Sequence, residues 1–188
     1  MFDMGPEQLV FAFFFFSFSG WIGETIMESS VRKRFVSKGF FKGPWVPVHG
    51  VGAFVVYRAV EMLKTQPLLV FVVGTVLCTV VEYLAALLLE KFFNTKGWDY
   101  DTYPFTYWCN FKKRVALTTS LFFGLITLGL VYFYWELAKR LMLFLGTGIL
   151  VKVDVFFILV FVMDATFTFR QHIKNNAAGI PNKTAGLL

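Results

Sequence analysis

The stretch PLLVFVVGTVLCTVVEYLAALLLEKFFNTKGWDYDTYPF (residues 67–105) decides how this chain is read. Its first part is almost wholly apolar but carries Glu82 near the middle; its second is a tight aromatic and acidic run from Gly97 to Phe105. At 1.5 Å per residue, residues 67–93 form a helix long enough to cross a hydrocarbon core of about 30 Å. An ionisable group at mid-bilayer depth costs roughly 2.5–3.5 kcal/mol on insertion scales, so Glu82 needs a partner or a use. Cys78, Thr79, Glu82 and Ala86 share one helical face, with Val80, Leu84, Leu87 and Leu88 opposite. This places Glu82 inside the protein, against Glu24, His49, Arg114 or Asp164, and the apolar stripe against lipid.

Composition agrees with a membrane chain. Of 188 residues, 57% are hydrophobic and 25 are Phe, and the mean hydropathy is +0.64. That is more apolar surface than a soluble core of this size buries. The formal charge of +6 does not imply a nucleic-acid partner, because the basic residues lie between apolar runs and not on one face or tail. Cys78 lies in an apolar run and Cys109 in a basic loop, so no disulfide is expected. No G-x-x-x-x-G-K-[ST] phosphate loop is present, and any ATP-driven role needs another subunit. No cofactor is expected, and no removable signal peptide is read at the amino end.

In chain order, helix one is expected over residues 9–27, with Gly20 and Gly23 allowing close approach of a neighbour and Glu24 and Glu28 one turn apart. Arg32, Lys33, Arg34, Lys38 and Lys42 then form a basic loop that should stay in the cytoplasm. The segment GFFKGPWVPVHG (residues 39–50) holds Gly43, Pro44, Pro47 and Gly50, so it predicts a bent or re-entrant lead-in to a helix two that ends near Leu63. Helix three follows over residues 67–93. Trp98, Tyr100, Phe105 and their aromatic neighbours read first as an interfacial belt, a reading that Asp99 and Asp101 fit less well. Helix four is expected over residues 115–137 and helix five over 153–169, with Asp164 inside it. Residues 141–150 are too short to cross alone and should lie at the outer surface or extend a neighbouring helix. Residues 1–172 then form one transmembrane domain, and 173–188 a mobile cytoplasmic tail. Thirteen of the eighteen Lys and Arg residues fall on the side of the basic loop, which puts the amino terminus outside and the carboxyl terminus in the cytoplasm.

Counting helical rise from the loop ends puts Glu24, His49, Glu82, Arg114 and Asp164 in the inner half of the bundle. The expectation is one cytoplasm-facing polar cavity, with surplus acid suited to protons or a cationic solute. These groups could instead pair merely to fix helix register. A metal site at His49 with the acids has the right residue types but no local spacing motif, and none is assigned.

Four ordered pieces carry a family resemblance: FSFSGWIGET (16–25), GFFKGPWVPVHGVGA (39–53), Glu82-Tyr83 with LEKFF (89–93), and WDY (98–100) with Pro104-Phe105. Over most of residues 11–135 the chain resembles the CmpB-like family, labelled putative ABC-transporter type IV, a group of multipass membrane proteins. The resemblance singles out Gly20, Trp21, Glu24, Gly39, Gly43, Pro44, Pro47, Gly50, Gly52, Glu82, Tyr83, Glu90, Trp98, Asp99, Tyr100, Pro104 and Phe105. Two departures stand out. The link of residues 106–113 is longer than usual and lacks the glycine expected before Arg114, and His49 replaces a common tyrosine.

The resemblance implies a transport permease. The sequence as a whole reads as an all-α, five-helix protein of a bacterial cytoplasmic (inner) membrane. It is expected to act as a permease-like or channel-like component for a small, cationic solute, more as a binding or transport protein than an enzyme. The alternatives are an intramembrane enzyme acting on a lipid head group, through His49 or Glu82, and a non-catalytic assembly factor. The expected partners are the lipid bilayer, a separate ATPase subunit and further copies of the chain.

Overall fold

The computed structural model describes residues 4–101 and 105–178. The protein is all-α, with one two-residue antiparallel hairpin as the exception. Its elements are α1 (Pro6–Arg32), α2 (Pro47–Val60), α3 (Pro67–Phe93), β1 (Asn110–Phe111), β2 (Val115–Ala116), α4 (Leu117–Gly129) and α5 (Trp135–Ala177). A 3-10 turn at Glu61–Leu63 follows α2, and a π turn at Leu130–Tyr134 joins α4 to α5.

Three helical runs are long and apolar enough to cross a membrane: Pro6–Arg32, Pro67–Phe93 and Leu117–Ala177. The chain is a membrane protein on that evidence. The first two start with proline at the first helical position, where its missing N–H costs nothing, and both end on a residue with left-handed backbone, Lys33 (φ 52°) and Asn94 (φ 47°). α3 has the bounds expected from sequence.

Helix four, expected to end at residue 137, runs on through the π turn into α5, because WELAKRLMLFL (135–145) consists almost entirely of good helix formers and holds no proline. The break comes at Gly146, whose φ of 67° and ψ of 157° are non-helical, and a second helix follows it. Residues 141–150 thus extend a neighbouring helix, the second of the two placements expected. The helix also continues to Ala177, past Ile173 where the tail was expected to begin; residues 179–188 of that tail lie outside the described ones.

The chain divides into two compact units, one comprising residues up to Val51 together with those from Leu137 onward, the other Gly52–Glu136. In the second unit, α3 and α4 pack through small residues. A side chain at Gly74 would run into Thr127, and one at Gly124 would run into Thr75 and lie 2.7 Å from the Phe71 ring. The close approach lets hydroxyls meet across the helices, with the Thr79 Oγ1 donating to Ser120 Oγ at 2.8 Å. Val72, Val76, Val80, Leu84 and Leu88 are left exposed along α3, the apolar stripe that a lipid-facing surface needs. Nearby, Trp135 is almost fully buried and stacks on Tyr57 with ring centroids 4.2 Å apart.

In the first unit, α1, the lead-in to α2 and the last part of α5 share an aromatic core. Phe14 lies 5.4 Å from Trp45, 5.5 Å from Phe157 and 5.8 Å from Phe161, centroid to centroid. Gly50 meets α1 directly, since a Cβ there would lie 2.5 Å from Ser17 Oγ and 2.8 Å from the Phe13 carbonyl.

These contacts separate two kinds of glycine. Gly124→Leu should lower the melting temperature in lipid nanodiscs by an amount equivalent to at least about 1–3 kcal/mol of overpacking. Gly148→Ala, where nothing lies within 4 Å, should leave stability unchanged or raise it. Equal effects at the two positions would contradict the α3–α4 packing.

Candidate functional site

The candidate residues fall into two sets, one in each unit. Glu24, His49 and Asp164 belong to the first unit, and Glu82 and Arg114 to the second.

In the first unit, α1 presents Glu24 and the start of α2 presents His49. The His49 Nε2 lies 3.5 Å from Glu24 Oε1, and both side chains are partly exposed. The imidazole sits directly over Gly20, so any side chain at that position would collide with it. This explains a glycine one turn before the acid: it opens the space that brings the histidine to Glu24. Trp21, beside it, donates from Nε1 to Ser37 Oγ at 3.1 Å.

Asp164 is placed differently. Its carboxylate accepts the backbone N–H of Gly43 at 2.8 Å, that of Lys42 at 3.2 Å and the Thr168 hydroxyl at 3.3 Å. It caps the bend before α2. Gly43 is required there, because a Cβ would lie 2.9 Å from Asp164 Oδ2 and clash with Trp45. The irregular segment is thereby fixed, with Gly39 at a φ of 117° and Trp45 N–H donating to Gly43 O at 2.8 Å. Pro44 and Pro47 lie in this segment, and Pro47 opens α2.

Glu28, expected at an interface, is instead buried, paired with Arg32 and with Lys38 Nζ at 3.4 Å. The signal was its position one helical turn before the basic segment that supplies both cations.

In the second unit, Glu82 is buried on α3 and its Oε1 accepts the Tyr100 hydroxyl. Arg114, one of the four groups expected near Glu82, forms a forked pair with Glu90, its Nε 3.1 and 3.0 Å from the two carboxylate oxygens, and lies 5.7 Å from the Tyr83 ring centroid. The reason is depth: Glu90 ends α3 beside the hairpin strand that Arg114 precedes, whereas Glu82 is two turns further in.

The loop between α3 and α4 is therefore folded onto the helix end, and Tyr100 and Trp98 are not belt residues facing outward. Trp98 Nε1 donates to the Arg114 carbonyl at 2.7 Å, and the Tyr100 N–H to the Lys113 carbonyl at 3.1 Å. Asp99 pairs with Lys96 at 2.8 Å and accepts the Asp101 N–H. Lys113 Nζ lies 2.5 Å from Asp101 Oδ2, and Asn110 Nδ2 donates to the other oxygen at 2.9 Å. These donors, Lys113 first, hold the Asp101 carboxyl below its ordinary range, and the same contact pushes the Lys113 ammonium up. The Glu90 hydrogen bonds push Arg114 up as well. Phe105 is exposed and contributes its carbonyl to Thr118 Oγ1 at 3.1 Å; Pro104 lies outside the described residues.

Among the described residues, no three His, Cys, Asp or Glu side chains are grouped to hold a metal ion. The chemistry on offer is acid–base and ionic. Glu24 and His49 face one another partly exposed, while Glu82, Glu90 and Asp164 are engaged by donors of their own unit.

A family model described as "Putative ABC-transporter type IV" matches residues 11–169. The chain belongs to that family. The match runs from α1 far into α5 and takes in every candidate site residue, Asp164 included. It reaches well beyond residues 11–135, where the sequence resemblance was read. No curated protein and no solved structure matches the chain significantly.

The Asp101 contacts set a pH dependence. A carboxyl lowered in the folded state stabilises the fold above its unfolded range and loses that stabilisation as pH falls through the folded value. Hydrogen exchange in the hairpin should therefore speed up on acidification below the ordinary carboxylate range. Asp101→Asn should exchange faster at neutral pH and show a weaker acid dependence; an unchanged profile would contradict the assignment.

Proposed function

We propose that this protein is a permease-like or channel-like membrane component for a small cationic solute, with Glu24 and His49 as the groups that meet the solute. Membership in a family described as transporter-like supports the class. The observation that carries the residue assignment is the Glu24–His49 pair itself, partly exposed, set 3.5 Å apart and given room by Gly20. A carboxylate on a membrane span whose partner is a titratable imidazole can change its charge when a cation arrives. The carboxylates locked by arginine, tyrosine or backbone amides are less free to do so.

We further infer five crossings in a cytoplasmic membrane, with the amino terminus outside. The run Leu117–Ala177 has 61 residues, long enough for two crossings, and the non-helical Gly146 supports reading them as separate spans on either side of it. α2, with its bent lead-in and following 3-10 turn, supplies the remaining crossing. Energy for uphill transport would come from a separate ATPase subunit, since the chain has no phosphate-binding loop.

Cation binding can be tested without knowing the energy source. Potassium, ammonium, choline and spermidine should each be titrated onto the purified protein in nanodiscs while its melting temperature is followed. At least one should stabilise it saturably, by about 2.7 kcal/mol at a hundredfold excess over its dissociation constant. Glu24→Gln should abolish the shift while folding normally. No shift with any of these cations, or an undiminished shift in the variant, would overturn the assignment.

A further inference from the structure

Asp154 is a buried carboxylate that the site does not use. It lies on α5, 4% exposed, and both of its carboxylate oxygens are buried with no hydrogen-bond partner among the described residues. Every other buried or half-buried acid described above has a donor, so Asp154 differs in kind. The nearest basic residue in sequence, Lys152, is exposed. A carboxylate held away from water and without donors is poorly housed as an anion but well housed as an acid.

Its register gives the group a place in the unit. Asp154, Phe157, Phe161, Asp164 and Thr168 follow one another at spacings of three and four, so they form a single seam on α5. Phe157 and Phe161 pack against Phe14 and Trp45 in the aromatic core. Asp154 therefore lies at one end of that core and Asp164 at the other, about 15 Å apart by helical rise. Two other buried polar atoms of the same unit, Ser17 Oγ on α1 and Trp45 Nε1 within the core, also have no hydrogen-bond partner.

We propose that Asp154 is a proton-binding site, lying on the far side of the Phe14–Trp45–Phe157–Phe161 cluster from Asp164. The bound species is a proton: an O–H bond forms at one Asp154 oxygen as one breaks in a hydronium ion arriving from water, and the reverse returns the proton to water. The aromatic cluster separates this acid from Asp164, whose carboxylate is filled by backbone amides. The inference stands apart from the identity of any solute and from the Glu24–His49 assignment.

Infrared spectroscopy of the full chain in lipid nanodiscs reads the proton directly. Protein made with carboxyl-labelled aspartate should show, at mildly acidic pH above the ordinary carboxylate range, a protonated-carboxyl carbonyl band that shifts with the label. The band should persist in Asp164→Asn and vanish in Asp154→Asn. Should Asp154→Asn fail to fold, the combined variant Asp3→Asn, Asp99→Asn, Asp101→Asn and Asp164→Asn leaves Asp154 as the chain's one aspartate, and the band must remain in it. Absence of a label-shifted band in that pH range, or its survival in folded Asp154→Asn, would overturn the proposal.

Discussion

A carboxylate on a membrane helix must be met by a donor, and the Glu82–Tyr100 hydrogen bond shows how this protein meets that demand. Leaving Glu82 exposed to hydrocarbon would cost several kcal/mol. The Tyr100 hydroxyl reaches it from the loop after α3, and to do so the loop must fold back along the helix end. Once there, its other polar groups are close enough to fix it: Trp98 on the Arg114 carbonyl, Tyr100 N–H on Lys113, and Arg114 itself on Glu90. Residues 97–101 are thus held against the end of α3, with Glu82 taking Tyr100 and Glu90 taking Arg114.

The first unit solves the same problem with backbone. Asp164 is satisfied by the amides of Lys42 and Gly43, which are available only because glycine and proline keep that segment from becoming helix. Glu28 takes cations from the basic segment that follows it. Glu24 is the exception, left with an imidazole and partial exposure, and for that reason it is the acid given a role in solute binding.

Much of this was legible in the residues. Pro67 and the unbroken apolar run after it fix α3, and the spacing of Cys78, Thr79, Glu82 and Ala86 points Glu82 inward. Gly20, Gly43 and Gly50 announce close approaches, which His49, Trp45 with Asp164, and Ser17 turn out to make. What could not be read were partners fixed by tertiary geometry. Arg114 is nearer in sequence to Glu90 than to Glu82, but sequence distance does not pair them; the hairpin of Asn110–Phe111 with Val115–Ala116 aims it at Glu90. Helix four was ended at residue 137, although the residues that follow, up to Gly146, are strong helix formers that carry it on. Asp154 was not singled out, because one acid near the start of an apolar run does not announce its burial.

The central claim, that acids on the spans are housed by specific donors that order the neighbouring chain, is tested most directly by a double-mutant cycle on Glu82 and Tyr100. Stability would be measured by equilibrium unfolding in mixed micelles for the parent, Glu82→Ala, Tyr100→Phe and the double variant. The hydrogen bond predicts a coupling of about 1–3 kcal/mol, with Tyr100→Phe costing little once Glu82 is gone. Strict additivity of the two substitutions would contradict the account.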